Sequence, residues 1–550
     1  MAQIEAGVNL QAASFPMVPQ FMGRSVLISN TDQQVDAATI GKEGSTQQPA
    51  EHGNMPHAYY MYNVVPTSQG YKSVAYTKIT GAPRTALGAI IPVTFSTIFP
   101  VRDSNENRGF LGVTVDFRSF IFSNITKRWI EATPVSQNTS DISVAFVTGS
   151  TYVCYSKFNI FTIDLINSLL VPATLSGVVN ANVLSIASSN NYLLLQDGNI
   201  VYWSSSLNAS DFVPSLSTGA GSGTPTAIGG KIVAMFPLST GFAIYTTTNI
   251  ITASFSGNIR YPWIFKEANN GAGVSGAEVI SYGDDGTNYA WTSAGLLKVA
   301  LSGCTPVLPN VTDFLSGRVF AEFNTATKDI DYEYIASDLK VHLLYSSARF
   351  VVISYGKTSL THAIIYDLAL KRFGKLKIDH VNAFELNILS DGTQLTYQDL
   401  LDFATAYGDL SDTSYAELAT ITNKAASPKR TLAFLQADGS ILVALFDIGN
   451  FNSNAVLLLG KYQLLRANTT IFEGVKLEDT DPDNTNFAVT IQSSYDGKNI
   501  GKTTATTLRT SAPNFREYGC HVTALNHSVL IEGAFNLVQA NILVHKGGRR

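Results

Sequence analysis

Charge is what this 550-residue chain has least of: Asp, Glu, Lys and Arg together make up 14% of it, against about 25% in ordinary soluble domains. The apolar share is ordinary at 45%, so Ser, Thr, Asn, Gln and Gly occupy the places of the missing charges. All-β virion and secreted proteins are commonly built in this way, and helical enzymes are not. Cysteine is nearly absent. Cys154, Cys304 and Cys520 lie far apart and are odd in number, which excludes a disulfide framework and a paired zinc motif. A basic excess is missing too: 37 Lys and Arg against 42 Asp and Glu leave a net charge of −5. Tight binding to a phosphate backbone needs clustered cations, so nucleic acid can pass this protein without sticking.

Long apolar runs are also lacking. The best, 87–93 and 232–238, contain Pro92 and Pro237 and fall far short of the ~20 residues a membrane helix needs. The first 18 residues carry Glu5 and neither a basic start nor a sustained apolar core, so no signal peptide is expected. Neither export by a standard signal nor insertion in a bilayer is expected. Triplets such as Asn124-Ile125-Thr126 therefore carry no weight as glycosylation sites.

What the chain does have is a beat of short strands. Residues 1–58, rich in Gln, Ala, Gly and Pro, read as an extended N-terminal arm. From Tyr59 onward, β-branched and aromatic runs alternate with Gly, Asn, Asp and Ser clusters, the pattern of sequential hairpins. Similar units recur at 109–131, 141–164, 184–203, 231–255, 277–301, 340–373 and 431–446, with turns at Gly149-Ser150, Ser189-Asn190-Asn191 and Asp197-Gly198. A spacing of roughly 35 to 55 residues between equivalent strands is the period of four-stranded propeller blades. Each such sheet cannot bury both faces alone, so radial neighbours supply its core. The reading is an all-β fold: a β-propeller of about six to seven blades over 59–460, with a chain of β-sandwiches as its rival. Within it, 396–425 places Leu400, Leu401, Phe403, Tyr415 and Leu418 at helical spacing and reads as a short helical insertion. Residues 461–550, with alternation at Phe487, Val489 and Ile491, form a separate C-terminal β-sandwich-like domain.

The charge deficit is uneven. Residues 131–265 hold only eight charged side chains: Glu131, Asp141, Lys157, Asp164, Asp197, Asp211, Lys231 and Arg260. Interface cores are depleted in charge, so this stretch is expected either to pack against neighbouring subunits or to form a Ser/Thr-coated surface.

Motifs that would carry chemistry fail on context. Gly271-Ala-Gly273-Val-Ser-Gly276 matches the dinucleotide fingerprint in letters, but a strand at 278–282 follows where a helix N-terminus must meet the pyrophosphate. In Gly497-Lys-Asn-Ile-Gly501-Lys502-Thr503 only three residues separate the glycines where a phosphate loop needs four. Glu478, Asp479, Asp481 and Asp483 resemble half a calcium loop, yet Asn484 replaces its Gly and Thr490 its last Glu. Cys520, His521, His527 and His545 have no metal-ligand spacing, and no Gly-x-Ser-x-Gly elbow occurs. No catalytic, cofactor-binding or metal-ligating residue is assigned, no cofactor is expected, and the chain reads as a non-enzyme.

Several stretches resemble the tail nozzle, or hub, proteins of short-tailed bacteriophages, also called packaged-DNA stabilisation proteins. Tyr62-Asn63-Val64-Val65-Pro66, with Gly70-Tyr71-Lys72-Ser73, looks like that family's first propeller strand. Tyr202-Trp203-Ser204-Ser205 with Asn208, Asp211-Phe212 and Gly219-Ala220-Gly221 is similar to its recurring blade segment. Ile364-Ile365-Tyr366-Asp367-Leu368 leading to Lys371-Arg372-Phe373-Gly374-Lys375 is a general propeller phrase. His527-Ser-Val529-Leu-Ile531-Glu-Gly533-Ala-Phe535 with Gly547-Gly548-Arg549-Arg550 looks like the family's closing β domain. The resemblance implies a structural protein of the virion tail, assembled in the host cytoplasm: a homo-oligomer, a hexameric ring docked to portal and adaptor proteins above and tail fibre or tailspike proteins at the side. Genomic DNA would pass through its lumen for retention and ejection, without sequence-specific binding and without direct membrane insertion. If the acids face that lumen, six copies carry about −30 and repel DNA so that it slides. The alternative from another class is a carbohydrate-binding or carbohydrate-hydrolysing propeller, an adhesin or glycosidase, with its 11% aromatic residues as stacking platforms.

Overall fold

The computed structural model describes residues 4–8 and 58–546, the latter with gaps of which the longest are 308–318 and 389–428. The helical segment expected at 396–425 lies outside the described residues. Among the described residues the chain is built of strands and two short 3-10 turns, Asn180–Asn182 and Ala277–Val279.

Seven four-stranded antiparallel blades form a propeller: six are separate sheets, and the blade begun by Lys340–Ser346 is the end of an 11-stranded sheet. Their first strands are Phe95–Arg102, Ile142–Val147, Ser185–Ser189, Ile232–Leu238, Ile280–Tyr282, Lys340–Ser346 and Asn382–Ile388. Each packs beside the first strand of the next blade, and the seventh packs beside the first. The ring is closed by the chain's two ends: the outer strand of blade 7 is Ala75–Ile79, paired with Ile441–Leu445. Trp129 of blade 1 ties the same seam by donating its indole N–H to Gly439 O at 3.0 Å.

The blades cohere because both faces of each sheet are apolar. In Tyr192–Asp197, Leu193 and Leu195 enter the core shared by blades 2 and 3. Leu194, between them, enters the core shared by blades 3 and 4, as a side-chain period of two requires. Six such cores run round the ring, ending with Phe384, Leu435 and Val443 of blade 7 against Phe95, Phe120 and Trp129 of blade 1. The turns supply left-handed backbone where needed: Asn190 and Asn191 have φ of 48° and 66°, values Asn tolerates better than most side chains.

The Ser, Thr and Asn that fill the place of charge join blade to blade. A first strand has one edge facing the channel, so its backbone groups need partners from the side. Ser143 Oγ accepts the Ile186 N–H at 2.8 Å, Thr151 Oγ1 accepts that of Arg102 at 2.9 Å, and Ser281 Oγ that of Tyr345 at 2.7 Å. Ser189 donates to Gly241 O at 2.7 Å. Neutral hydroxyls make these bonds in buried seams without the desolvation cost of a charge.

A β-sandwich adjoins blade 6, and its strands come from both ends of the chain. One layer is Ala58–Tyr62, Val456–Tyr462, Asn526–Gly533, Phe487–Ser494 and Gly501–Thr504. The other continues the sheet of blade 6 through Val64–Pro66 and Tyr71–Ser73 to Asn536–Lys546, Thr470–Asp479, Phe515–Ala524 and Thr506–Ala512. Ile4–Val8 pairs with Asn536–Lys546. Met61, Leu457, Val489, Ile491, Val529 and Ile531 meet Val64, Tyr71, Phe472, Val475 and Leu537 in the core. The segment 62–73, expected as a first propeller strand, is instead the plate shared by the two bodies. Val64 and Tyr71 face the sandwich, while Val65 and Val74 face blades 6 and 7, because alternation sends neighbouring residues to opposite sides.

Candidate functional site

The seven first strands enclose a channel of about 2150 Å³. Its wall is mostly hydroxyl and aliphatic, with Ser96, Ser143, Ser185, Ser188 and Ser281 among the lining residues. The charged ones are Arg102, Arg108, Lys157, Lys231 and Lys340 against Asp141, Glu278 and Glu385. Five cations and three anions give a formal +2 inside a chain whose total is −5, so acid predominates outside the channel. At the end where the first strands finish, the Arg102 guanidinium lies 5.2 Å from the centroid of the Phe146 ring.

Three histidines and a lysine of blade 6 are strongly perturbed. His342, on its channel-lining strand, is held neutral mainly by burial, with His380 and Lys340 assisting, at about 3. His380 Nδ1 lies 2.7 Å from Ile378 O and so donates there, leaving Nε2 to accept from Ser354 Oγ at 2.8 Å; burial pushes its pKa down to about 4. On the opposite face of the same sheet His362 is fully buried and stacks on Tyr355 at 5.5 Å between centroids. Burial lowers it to about 2. Lys375 is 1% exposed, and burial lowers it to about 7 against the opposing pull of Glu322. Glu322 also accepts from Lys377 Nζ at 3.2 Å. His380 packs against Phe434 of blade 7, 5.0 Å between ring centroids, and His362 and Lys375 are buried in the wall of blade 6, where they act on stability.

No residue had been assigned a catalytic, cofactor or metal role, and the rejected motifs have the following places. Gly271 to Gly276 connect blades 4 and 5 at the channel mouth. Gly271 has a φ of +82°, and a Cβ on Gly273 would come 1.9 Å from Thr247 O. The glycines therefore serve a tight crossing of two backbones, and the 3-10 turn Ala277–Val279 follows. Asp479 is buried and accepts the Asn536 N–H at 3.1 Å; Asp481 and Asp483 lie outside the described residues. His527 Nδ1 is 2.9 Å from Ser493 Oγ. Among the described residues no group of three His, Cys, Asp or Glu could hold a metal ion, and no helix is long and apolar enough to cross a membrane.

A second feature lies on the outer rim. Of 17 large apolar side chains exposed among the described residues, 12 fall in the charge-poor stretch 131–265. Leu207 is 83% exposed, Tyr261 73%, Leu216 68% and Val179 64%. The loops carrying them touch in sequence from blade 2 to blade 4. Gly177 abuts Phe212 and Val213, and Gly219 abuts Ile259. Ser215 accepts the Gly219 N–H at 3.0 Å, and Ser206 accepts none of these but donates its N–H to Thr218 O at 3.1 Å. Monomeric proteins rarely leave large contiguous apolar patches open to water.

No family model matches the chain, and no curated protein matches it. Among solved structures, it is similar to YCF48 from Cyanidioschyzon merolae at 11% identity, over 67% of this chain and 98% of that one, with a TM-score of 0.37. It is similar to the WD40 β-propeller domain of Doa1 at 11% identity, over 68% and 98%, with a TM-score of 0.36. It is similar to BamB from Moraxella catarrhalis at 7% identity, over 71% and 95%, with a TM-score of 0.35. The propeller assignment stands on this chain's own sheet order and ring closure.

Proposed function

We propose that this protein is a structural subunit of the tail nozzle of a short-tailed bacteriophage. It is a virion component, assembled in the host cytoplasm, that forms a hexameric ring, joins portal and adaptor proteins and carries tail fibres or tailspikes. Genomic DNA runs through the lumen of the ring during retention and ejection. The observation that supports an assembling role is the apolar rim of blades 2 to 4, where Leu207, Leu216 and Tyr261 stand open to water in a stretch with eight charges. A side chain of that kind stabilises a contact when a neighbour covers it. The contact is geometric and requires no reaction.

Electron microscopy and light scattering of the purified protein, alone and mixed with portal and adaptor proteins, test this reading. A six-fold ring with a central hole is the expected result. A mass equal to one chain under all these conditions overturns it, as does release of reducing sugar from a glycan by the isolated protein.

A further inference from the structure

The channel mouth at which the first strands begin gathers three lysines from different blades. Lys231 and Lys340 stand at the heads of the blade 4 and blade 6 strands, Ile232–Leu238 and Lys340–Ser346. Lys157 follows Ser150–Tyr155 of blade 2, in the left-handed region at a φ of 57°. Its backbone N–H donates to Val183 O at 2.8 Å, just ahead of the blade 3 strand Ser185–Ser189. All three side chains are exposed and line the channel, and none forms an ion pair among the described residues. Two carboxylates share the mouth: Asp141, ahead of Ile142–Val147, and Glu278 in the turn Ala277–Val279.

An excess of cations round an opening with low-dielectric walls focuses the field there and draws in anions. A lysine ammonium is a compact point charge with rotatable donors, suited to oxyanions without a fixed fork geometry. One phosphate is a small target for ammonium groups on three blades, whereas an oligophosphate reaches several at once. Ser275 adds a hydroxyl in the same rim, and the Glu278 carboxylate lies against Gly276. Asp141 and Glu278 would repel anions placed over blades 2 and 5, which restricts where the charges sit. We propose that this mouth is a binding site for a small, multiply charged oxyanion of the phosphate class. The site belongs to the single propeller and does not depend on ring assembly.

Calorimetric titration of the full-length protein with tripolyphosphate, and separately with inorganic phosphate, tests it at low ionic strength, where exposed charges are least screened. Saturable binding of one tripolyphosphate per chain is expected, tighter than that of phosphate. Combined Lys157→Gln, Lys231→Gln and Lys340→Gln substitution weakens it by about tenfold or more. Combined Asp141→Asn and Glu278→Gln substitution tightens it. Lys266→Gln, on an exposed outer strand of blade 4, leaves it unchanged. All these side chains are exposed, so an unchanged thermal midpoint is the check that each variant folds. Absence of saturable binding overturns the proposal, and so does an equal loss in the Lys266 variant or indifference to removal of the two carboxylates.

Discussion

Lys328 Nζ lies 2.6 Å from Glu532 Oε1, joining a hairpin between blades 5 and 6 to a central strand of the sandwich. The hairpin is Val319–Asn324 paired with Asp329–Tyr334. Its tip also gives the Lys328 carbonyl to Gln492 Nε2 at 2.7 Å and the Thr327 carbonyl to Lys502 Nζ. Phe323 packs with Tyr62, Val456, Leu458 and Leu530 on the face of the sandwich turned away from its core. The Lys328 side chain is 39% exposed, so solvent weakens the ion pair. A double-mutant cycle of Lys328→Ala and Glu532→Ala, followed by urea unfolding, is expected to give a coupling of about 0.5–1 kcal/mol.

Trp129 is a stronger fastening. It is fully buried, with ring centroids 4.7 Å from Phe95 and 5.3 Å from Phe122, and its N–H bonds across the seam where blade 7 meets blade 1. Trp129→Phe removes that bond, orphans the Gly439 carbonyl and is expected to cost about 1–3 kcal/mol. Trp129→Ala adds a cavity and is expected to cost about 3–5 kcal/mol. Equilibrium unfolding curves read both, and a loss in the alanine variant no larger than in the phenylalanine variant would show that the ring packs without this side chain.

How much of this was legible in the sequence depended on where the information lay. The middle strands were readable because both faces are buried: Tyr192 to Leu195 is an unbroken apolar run closed by Asn190-Asn191 and Asp197-Gly198. Phe95–Arg102 escaped the repeat pattern because one edge faces the channel. There Ser96, Thr97 and the exposed Pro100 interrupt the alternation, and Pro, lacking an N–H, is confined to such edges. The plate at 64–74 was misplaced because pairing partners more than 300 residues away leave no local trace. The channel lysines carry no motif for the same reason: they stand on separate blades and meet only when the ring closes. The uneven scarcity of charge, by contrast, is a local property, and it coincides with the rim where apolar side chains are exposed.

Acid stability follows from the three blade 6 histidines. Burial holds His342, His380 and His362 at about 3, 4 and 2, below the ordinary 6.5. The unfolded chain therefore binds their protons first as pH falls, and stability declines with decreasing pH from about 6.5 downward. Denaturant midpoints measured between pH 7 and pH 4 should fall steadily. In His380→Gln the fall should be shallower, because one such group is gone. An unchanged slope in that variant would place the acid sensitivity elsewhere.

Lys375 acts on the alkaline side. Its folded value of about 7 lies below the ordinary 10.5, so between those limits the unfolded chain carries the extra proton and stability rises with pH. Below about 7 both states are protonated and the slope from this group vanishes. Replacing it by an apolar chain of similar length, Lys375→Met, should raise stability at pH 7 by on the order of a few kcal/mol. It should also remove the rise between pH 7 and pH 8.5. Cys154 and Cys520, which burial pushes up to about 12, act in the opposite sense only as the unfolded thiols begin to ionise. Comparing wild type and variant at each pH cancels them. A variant that keeps the full alkaline rise would refute the assignment.

The rim makes the sharpest separation between folding and assembly. Leu207, Leu216 and Tyr261 are so exposed that polar replacements remove almost nothing from the monomer's core, and surface changes of this kind usually stay within about 0.5 kcal/mol. A triple variant, Leu207→Ser, Leu216→Ser and Tyr261→Ser, should keep the wild-type unfolding midpoint. If a neighbouring subunit covers this surface, each lost side chain removes about 25 cal/mol for every Å² of apolar area it buried there. The loss recurs at every contact of a closed ring, so a small change per subunit becomes a large change in the oligomer. Sedimentation velocity over a concentration series should then show the wild type associating and the variant remaining a single chain. An associating variant would mean that the contact lies on another surface, and a destabilised one that these loops hold the blades together.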